Sequence, residues 1–136
     1  SSLLVSSDGG RRWRRTAVPP ALDLALDPDD PRILLLSTED GILRSTDGGR
    51  TLRTAFRGVP PSHLVWIAGE PVAVGLDGAV RRLTGSRARA VGRLPSTPAA
   101  AQADGGRILV ALEDGTVVES DTGGRSWRVR LQPPAS

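Results

Sequence analysis

Residues 21–27 (ALDLALD) alternate apolar and polar side chains with period two, the pattern of a strand with one face buried and one in water. Pro28-Asp29-Asp30-Pro31 follows, and two prolines fix φ and remove two amide donors, so the chain turns there. Residues 32–38 (RILLLST) are apolar enough for a strand buried on both faces. Glu39-Asp40-Gly41 turns the chain again, with Gly41 supplying the positive φ of a tight hairpin. Residues 42–46 and 51–56 read as a third and a fourth strand around a turn at 47–49. The unit predicted is four short antiparallel strands.

The same frame recurs. Residues 64–68, 72–76, 79–83 and 88–91 form a further unit, and residues 99–103, 107–112, 116–120 and 126–131 another. Residues 3–6 and 13–18 read as the third and fourth strands of a unit without its first two. Acidic-Gly turns mark the period at Asp40-Gly41, Asp77-Gly78 and Asp114-Gly115, 37 residues apart both times. A repeat of this length built from four strands predicts an all-β chain, a β-propeller segment of four-stranded antiparallel blades. The expected division is a half blade at 1–20 and blades at 21–58, 59–95 and 96–136. About three and a half blades are too few to close a ring of about four to eight, so the ring is expected to be incomplete. The remaining blades of a parent propeller are expected in a longer protein, of which this is the C-terminal part. The first residue, Ser1 and not Met, fits a fragment or a processed product.

A second signature sits between the third and fourth strands. Ser6-Ser7-Asp8-Gly9-Gly10-Arg11-Arg12-Trp13, Ser45-Thr46-Asp47-Gly48-Gly49-Arg50-Thr51-Leu52 and Ser120-Asp121-Thr122-Gly123-Gly124-Arg125-Ser126-Trp127 are nearly one motif. It resembles the Asp box, Ser-x-Asp-x-Gly-x-Thr-Trp, of sialidases, Vps10/sortilin-type receptors, oligoxyloglucan-active glycosidases and photosystem II assembly factors. The resemblance covers essentially the whole chain. Ser6, Asp8, Gly10 and Trp13 match in the first copy, with Arg12 in place of Thr; Ser45, Asp47, Gly49 and Thr51 match in the second, with Leu52 in place of the aromatic. In the last copy Ser120, Gly124, Ser126 and Trp127 match and the acid sits one place early, at Asp121. Residues 83–88 (LTGSRA) have lost the motif, a decay expected where it serves only its own blade. An Asp in such a turn accepts bonds from nearby amides, and the aromatic or Leu tucks under the turn. These residues therefore read as structure, and the resemblance implies a fold marker rather than a catalytic signature.

Composition narrows the chemistry. All eighteen positive charges are Arg, Lys, Asn, Tyr, Met and Cys are absent, and Ala, Gly and Pro abound, as a GC-rich bacterial genome would produce. Eighteen Arg against fifteen acids leave a net charge of +3, so the pI of about 11.1 reflects arginine's chemistry more than a strongly basic surface. Without Cys there is no disulfide, thiolate metal site or Cys nucleophile. No apolar stretch approaches the roughly 18 residues of a membrane span. No charged segment followed by an apolar one reads as a signal peptide.

Candidate chemistry lies on the face opposite the motif turns, where the resembling enzymes carry their ligand sites. Glu39, Asp40, Asp77, Glu113 and Asp114 stand there in or beside the acidic-Gly turns, with His63 in a loop after Val59-Pro60-Pro61-Ser62. The competing reading is that these are ordinary hairpin turns and a solvated histidine. His63 has no second His or Cys with which to share a metal, so no metal and no cofactor is expected. Arg81 and Arg82 head an arginine-rich stretch with Arg87, Arg89 and Arg93, either a charged edge that prevents aggregation or a contact for an anionic partner. Nucleic acid is not expected, because interleaved stacking aromatics are absent.

Two functions compete. One is a non-catalytic propeller module that binds a protein or glycan ligand, as the assembly-factor and receptor relatives of the motif do. The other is the C-terminal part of a sialidase-like or other glycoside-hydrolase-like propeller. The chain has no Tyr to serve as a sialidase nucleophile, and no carboxylate pair is singled out by spacing, so the enzyme reading is the weaker. An extracytoplasmic location, periplasmic or secreted, is implied by the resemblance alone.

Overall fold

The structure is a computed structural model that describes residues 2–132. Fourteen strands and no helix are found among them. The first sheet has two strands, β1 (Ser2–Val5) and β2 (Arg14–Ala17). The second is β3 (Ala21–Asp27), β4 (Asp30–Thr38), β5 (Gly41–Ser45) and β6 (Arg53–Arg57). The third is β7 (Ser62–Ile67), β8 (Glu70–Gly75), β9 (Ala79–Thr84) and β10 (Arg87–Arg93). The fourth is β11 (Pro98–Asp104), β12 (Arg107–Leu112), β13 (Val117–Ser120) and β14 (Arg128–Leu131). Each sheet is an antiparallel meander in chain order. Every strand read from the pattern is present. The chain is all-β, a β-propeller segment whose sheets do not close a ring.

Two apolar clusters glue the sheets together face to face. One joins the second and third sheets through Leu35, Ile42, Phe56, Leu64, Ala73 and Leu83. The other joins the third and fourth through Val65, Val74, Val80, Ile108, Val110 and Val118. The second strand of a sheet is buried on both faces, as Leu34, Leu35 and Leu36 of β4 show, which is why it reads as an unbroken apolar run. First strands present alternate residues to the neighbouring sheets. Leu64 and Trp66 face the second–third cluster, while Val65 and Ile67 face the other.

Two fourth strands begin later than the pattern predicts, β6 at Arg53 rather than Thr51 and β14 at Arg128 rather than Ser126, while β10 begins one residue early at Arg87. Thr51 and Ser126 are hydrogen-bonded into the preceding turn and are thereby withheld from the ladder.

Candidate functional site

Strand β5 runs from Gly41 to Ser45, so each acidic-Gly turn and each motif turn sit at opposite ends of the same strand. The motif turns share one hydrogen-bond design. Asp8 Oδ1 accepts from the amides of Arg11 (3.0 Å) and Arg12 (2.9 Å), and Ser6 Oγ accepts from Gly10 (2.8 Å) while donating to Asp8 (3.0 Å). In the second copy Asp47 accepts from the amide of Thr51 (2.9 Å) and its hydroxyl (2.6 Å), with Ser45 bridging Asp47 and the Gly49 amide. These bonds hold both carboxyls below the ordinary range: for Asp8 the Arg12 amide contributes most, for Asp47 the Thr51 hydroxyl. The paired glycines take φ of 75° and 93°, 73° and 89°, and 71° and 97° in the three copies, values that favour glycine.

In the last copy the acceptor is not Asp121. Thr122 Oγ1 accepts from the Ser126 amide (2.9 Å) and lies 3.2 Å from Ser120 Oγ, which in turn accepts from Gly124 (2.9 Å). The turn's geometry requires its acceptor two residues after the serine, and Thr122 holds that place. The aromatic residues also part company. Trp13 and Trp127 both donate from Nε1 to a turn carbonyl, Gly10 (3.1 Å) and Gly124 (3.0 Å). Trp127 is half-buried against the third–fourth cluster, and Leu52 is half-buried too, but Trp13 is 61% exposed. Trp13 packs into neither apolar cluster of the described residues.

The expectation that each motif serves only its own sheet is wrong, because the turns are joints. Gly49 seats the second turn against β1, where a methyl group at residue 49 would lie 2.9 Å from Leu3 Cδ2 and 3.2 Å from Val5 Cγ2. Thr16 Oγ1 donates to the Gly49 carbonyl (2.8 Å), and Arg14 Nη2 donates to that of Gly48 (3.0 Å). Gly124 meets Val80 of the third sheet in the same way, and the Gly124 carbonyl packs against Gly92. Between the second and third sheets, where the motif is lost, Phe56 fills the joint at 2% exposure. Thr16, Phe56 and Gly92 lie opposite Leu3, Ile42 and Val80 on the adjacent strand, so one position is hydroxyl, ring or glycine according to what the next sheet presents.

On the opposite face the carboxylates of Asp77 and Asp114 are tied within their own hairpins. Asp77 makes two hydrogen bonds with Arg81 (2.8 and 3.2 Å) and accepts from the Ala79 amide, and the Arg81 guanidinium holds its carboxyl below the usual range. Asp114 is lowered chiefly by the Thr116 amide (2.9 Å). Catalytic acids need the reverse shift. The Asp40 carbonyl accepts from Gly58, the Glu113 amide donates to Thr97, and Glu39 is exposed. His63 is not in a loop: it is a half-buried residue of β7 opposite Val74, because the strand starts at Ser62, whose amide is held by Ser37 Oγ of the second sheet (2.8 Å). Among the described residues no three His, Cys, Asp or Glu gather as a metal site.

Arg81 and Arg82 do not form one patch. Neighbouring residues of a strand point to opposite faces, and Arg81 is committed to Asp77. Arg82 is ion-paired with Glu70 and stands directly opposite Arg89 on β10, so their side chains share a face. With Thr84 and with Arg125 from the last motif turn they line a cleft of about 560 Å³ between the third and fourth sheets. The strand pairing that brings Arg89 to Arg82 is visible in the hairpin register; the arrival of Arg125 from the next repeat is not.

No family model matches the chain, and neither does any curated protein. Solved structures do. A GH74 enzyme of Niastella koreensis matches with a TM-score of 0.75 at 21% identity, over 94% of this chain and 25% of that one. YCF48 from Cyanidioschyzon merolae matches with a TM-score of 0.64 at 20% identity, over 80% of this chain and 36% of that one. YCF48 bound to a D1 peptide matches with a TM-score of 0.64 at 19% identity, over 80% and 40%. These likenesses define the class of protein: the chain has the β-propeller fold. It spans well under half the length of each of these neighbours.

Proposed function

We propose that the chain is part of an Asp-box β-propeller that works as a non-catalytic binding module for a protein or glycan ligand, and that the cleft at Arg82 takes an acidic peptide segment. The observation that carries this reading is the cross-strand pair Arg82 and Arg89, with Arg125 added by the neighbouring sheet. Three guanidiniums face one carboxylate, Glu70, in that cleft. Guanidiniums are suited to bidentate capture of carboxylates. That one YCF48 neighbour carries a bound peptide supports a peptide ligand.

Titration of the chain with a fluorescent oligo-glutamate peptide tests this at two salt concentrations. Arg89→Ala and Arg125→Ala should each weaken binding several-fold with an unchanged melt, and Glu70→Gln should tighten it by removing the competing anion. Binding indifferent to all three substitutions would dismiss the cleft. The alternative, a glycoside-hydrolase-like propeller, draws on the likeness to GH74 enzymes. Release of reducing sugar from xyloglucan by the chain, abolished by Asp77→Asn or Asp114→Asn, would favour it instead.

A further inference from the structure

One ladder position is arginine in all four sheets. Arg14, Arg53, Arg89 and Arg128 stand opposite Val5, Arg44, Arg82 and Glu119 on the preceding strand. The registers correspond: Val5, Arg44 and Glu119 each precede the motif serine, and Arg44 and Arg82 lie two residues beyond Ile42 and Val80 at the joints. In the first sheet Arg14 faces an apolar residue and donates to the Gly48 carbonyl (3.0 Å), so there it serves the joint. In the other three sheets the arginine faces a charge.

The fourth sheet shows what such a group of guanidiniums holds. Glu119, with its side chain 9% exposed, accepts from Arg128 Nε (2.7 Å) and Arg130 Nη1 (3.0 Å), and Arg107 Nη1 lies 3.5 Å away. In the third sheet Glu70 ion-pairs with Arg82, beside Arg89. The second sheet supplies no acid. Arg44 and Arg53 line a cleft of about 480 Å³ with Thr46, Thr51 and Thr54, and among the described residues no carboxylate ion-pairs with either. Like charges directly opposed across a ladder destabilise it unless an anion joins them. Arg44 is also anchored, its guanidinium lying over the Phe56 ring at 5.3 Å.

This cleft adjoins the one at Arg82. Arg44 Nη2 donates to the carbonyl of Gly85 (3.4 Å), in the turn between β9 and β10, and that hairpin carries Arg82 and Arg89. Packed sheets lie about 10 Å apart and an extended chain advances about 3.3 Å per residue, so roughly three to five residues bridge the two clefts. We propose that Arg44 and Arg53 form a second anion site, and that one extended acidic peptide crossing the sheets engages both clefts at once. The inference rests on the reading of the Arg82 cleft as an acidic-peptide site. The peptide's carboxylates make at Arg53 the contact that Glu119 makes at Arg128, and pairing two clefts on one ligand multiplies affinity.

The probes are two peptides titrated into the full chain by calorimetry. One carries a single Glu-Glu-Glu cluster; the other carries two such clusters joined by four Gly and Ser residues. The single-cluster peptide should fill two sites per chain. The two-cluster peptide should bind one-to-one and at least about tenfold tighter. Arg53→Ala, at an exposed position, should cut the single-cluster stoichiometry to one and abolish the two-cluster gain with an unchanged melt. Arg57→Ala, exposed at the other end of β6, removes the same charge and should change neither result. A two-cluster peptide that binds no tighter, while Arg89→Ala still weakens binding, overturns this inference and leaves the reading of the Arg82 cleft standing. A gain that survives Arg53→Ala, or that light scattering traces to two chains bridged by one peptide, also overturns it. Binding by neither peptide overturns both readings.

Discussion

Gly92 of β10 packs against the carbonyl of Gly124, a residue of the next sheet's turn, so closely that no side chain fits between them. The contact explains a glycine that lies in a strand rather than a turn, where it otherwise weakens the ladder. It also shows what the repeated turns are for. They bring one sheet's turn against the backbone and side chains of the sheet before it, in addition to the contact made by the apolar clusters.

Gly92→Ala should therefore destabilise the chain by about 1–3 kcal/mol, the range for forcing a methyl into a filled space. Urea unfolding followed by tryptophan fluorescence measures it. Gly106→Ala, a hairpin position with open space around it and, like Gly92, no left-handed φ, is the control for a methyl group that meets nothing. A Gly92→Ala loss no larger than the control's would mean the joint yields.

Phe56 replaces a motif turn at the second–third joint, so Phe56→Ala should cost about 3–5 kcal/mol, as for a fully buried aromatic. Its ring also lies under the Arg44 guanidinium at 5.3 Å, and Phe56→Leu, which keeps most of the volume but not the ring face, should fall between. Equal losses for Leu and Ala would show that volume is not what matters there.

The two tryptophans make the same turn bond and differ in what lies beneath. Trp127→Ala should cost roughly 2 kcal/mol, less than a fully buried aromatic because Trp127 is only half-buried, and Trp13→Ala should stay within about 0.5 kcal/mol. Thermal melts of the two variants decide it. A Trp13 loss equal to that of Trp127 would place a packing surface under Trp13.

Acid should loosen two motif turns and spare the third. Asp8 and Asp47 have folded pKa values depressed by their amide and hydroxyl donors. Their contribution is therefore present above the unfolded carboxylate pKa of about 4 and is lost as pH falls through the lower folded value. The acceptor in the last turn is the Thr122 hydroxyl, which does not titrate in this range. Amide exchange between pH 5 and lower values should then lose protection at Arg12 and Thr51 but not at Ser126. Parallel loss at all three would indicate global unfolding rather than turn chemistry.

The order of strands and the nature of each hairpin were readable in the chain because both are local. Period-two alternation, apolar second strands and Gly turns depend on a few consecutive residues, and a 37-residue repeat writes them more than once. Errors arose where turn geometry overrides residue type, or where a residue's partner lies outside its own hairpin. Asp121 looked like the turn acceptor by residue type, but backbone geometry assigns that role to Thr122. His63 looked like part of a loop after two prolines, yet Ser37 of another sheet draws Ser62 and its neighbour into β7. Arg81 and Arg82 are adjacent in sequence and separated by the pleat, while Arg89 and Arg125 reach Arg82 only through pairing and sheet packing. Sequence by itself determined the sheets, since a strand's pattern reports which face it buries. Tertiary structure alone decided the joints and the arginine cleft, because each forms between segments that carry no mark of one another in the chain.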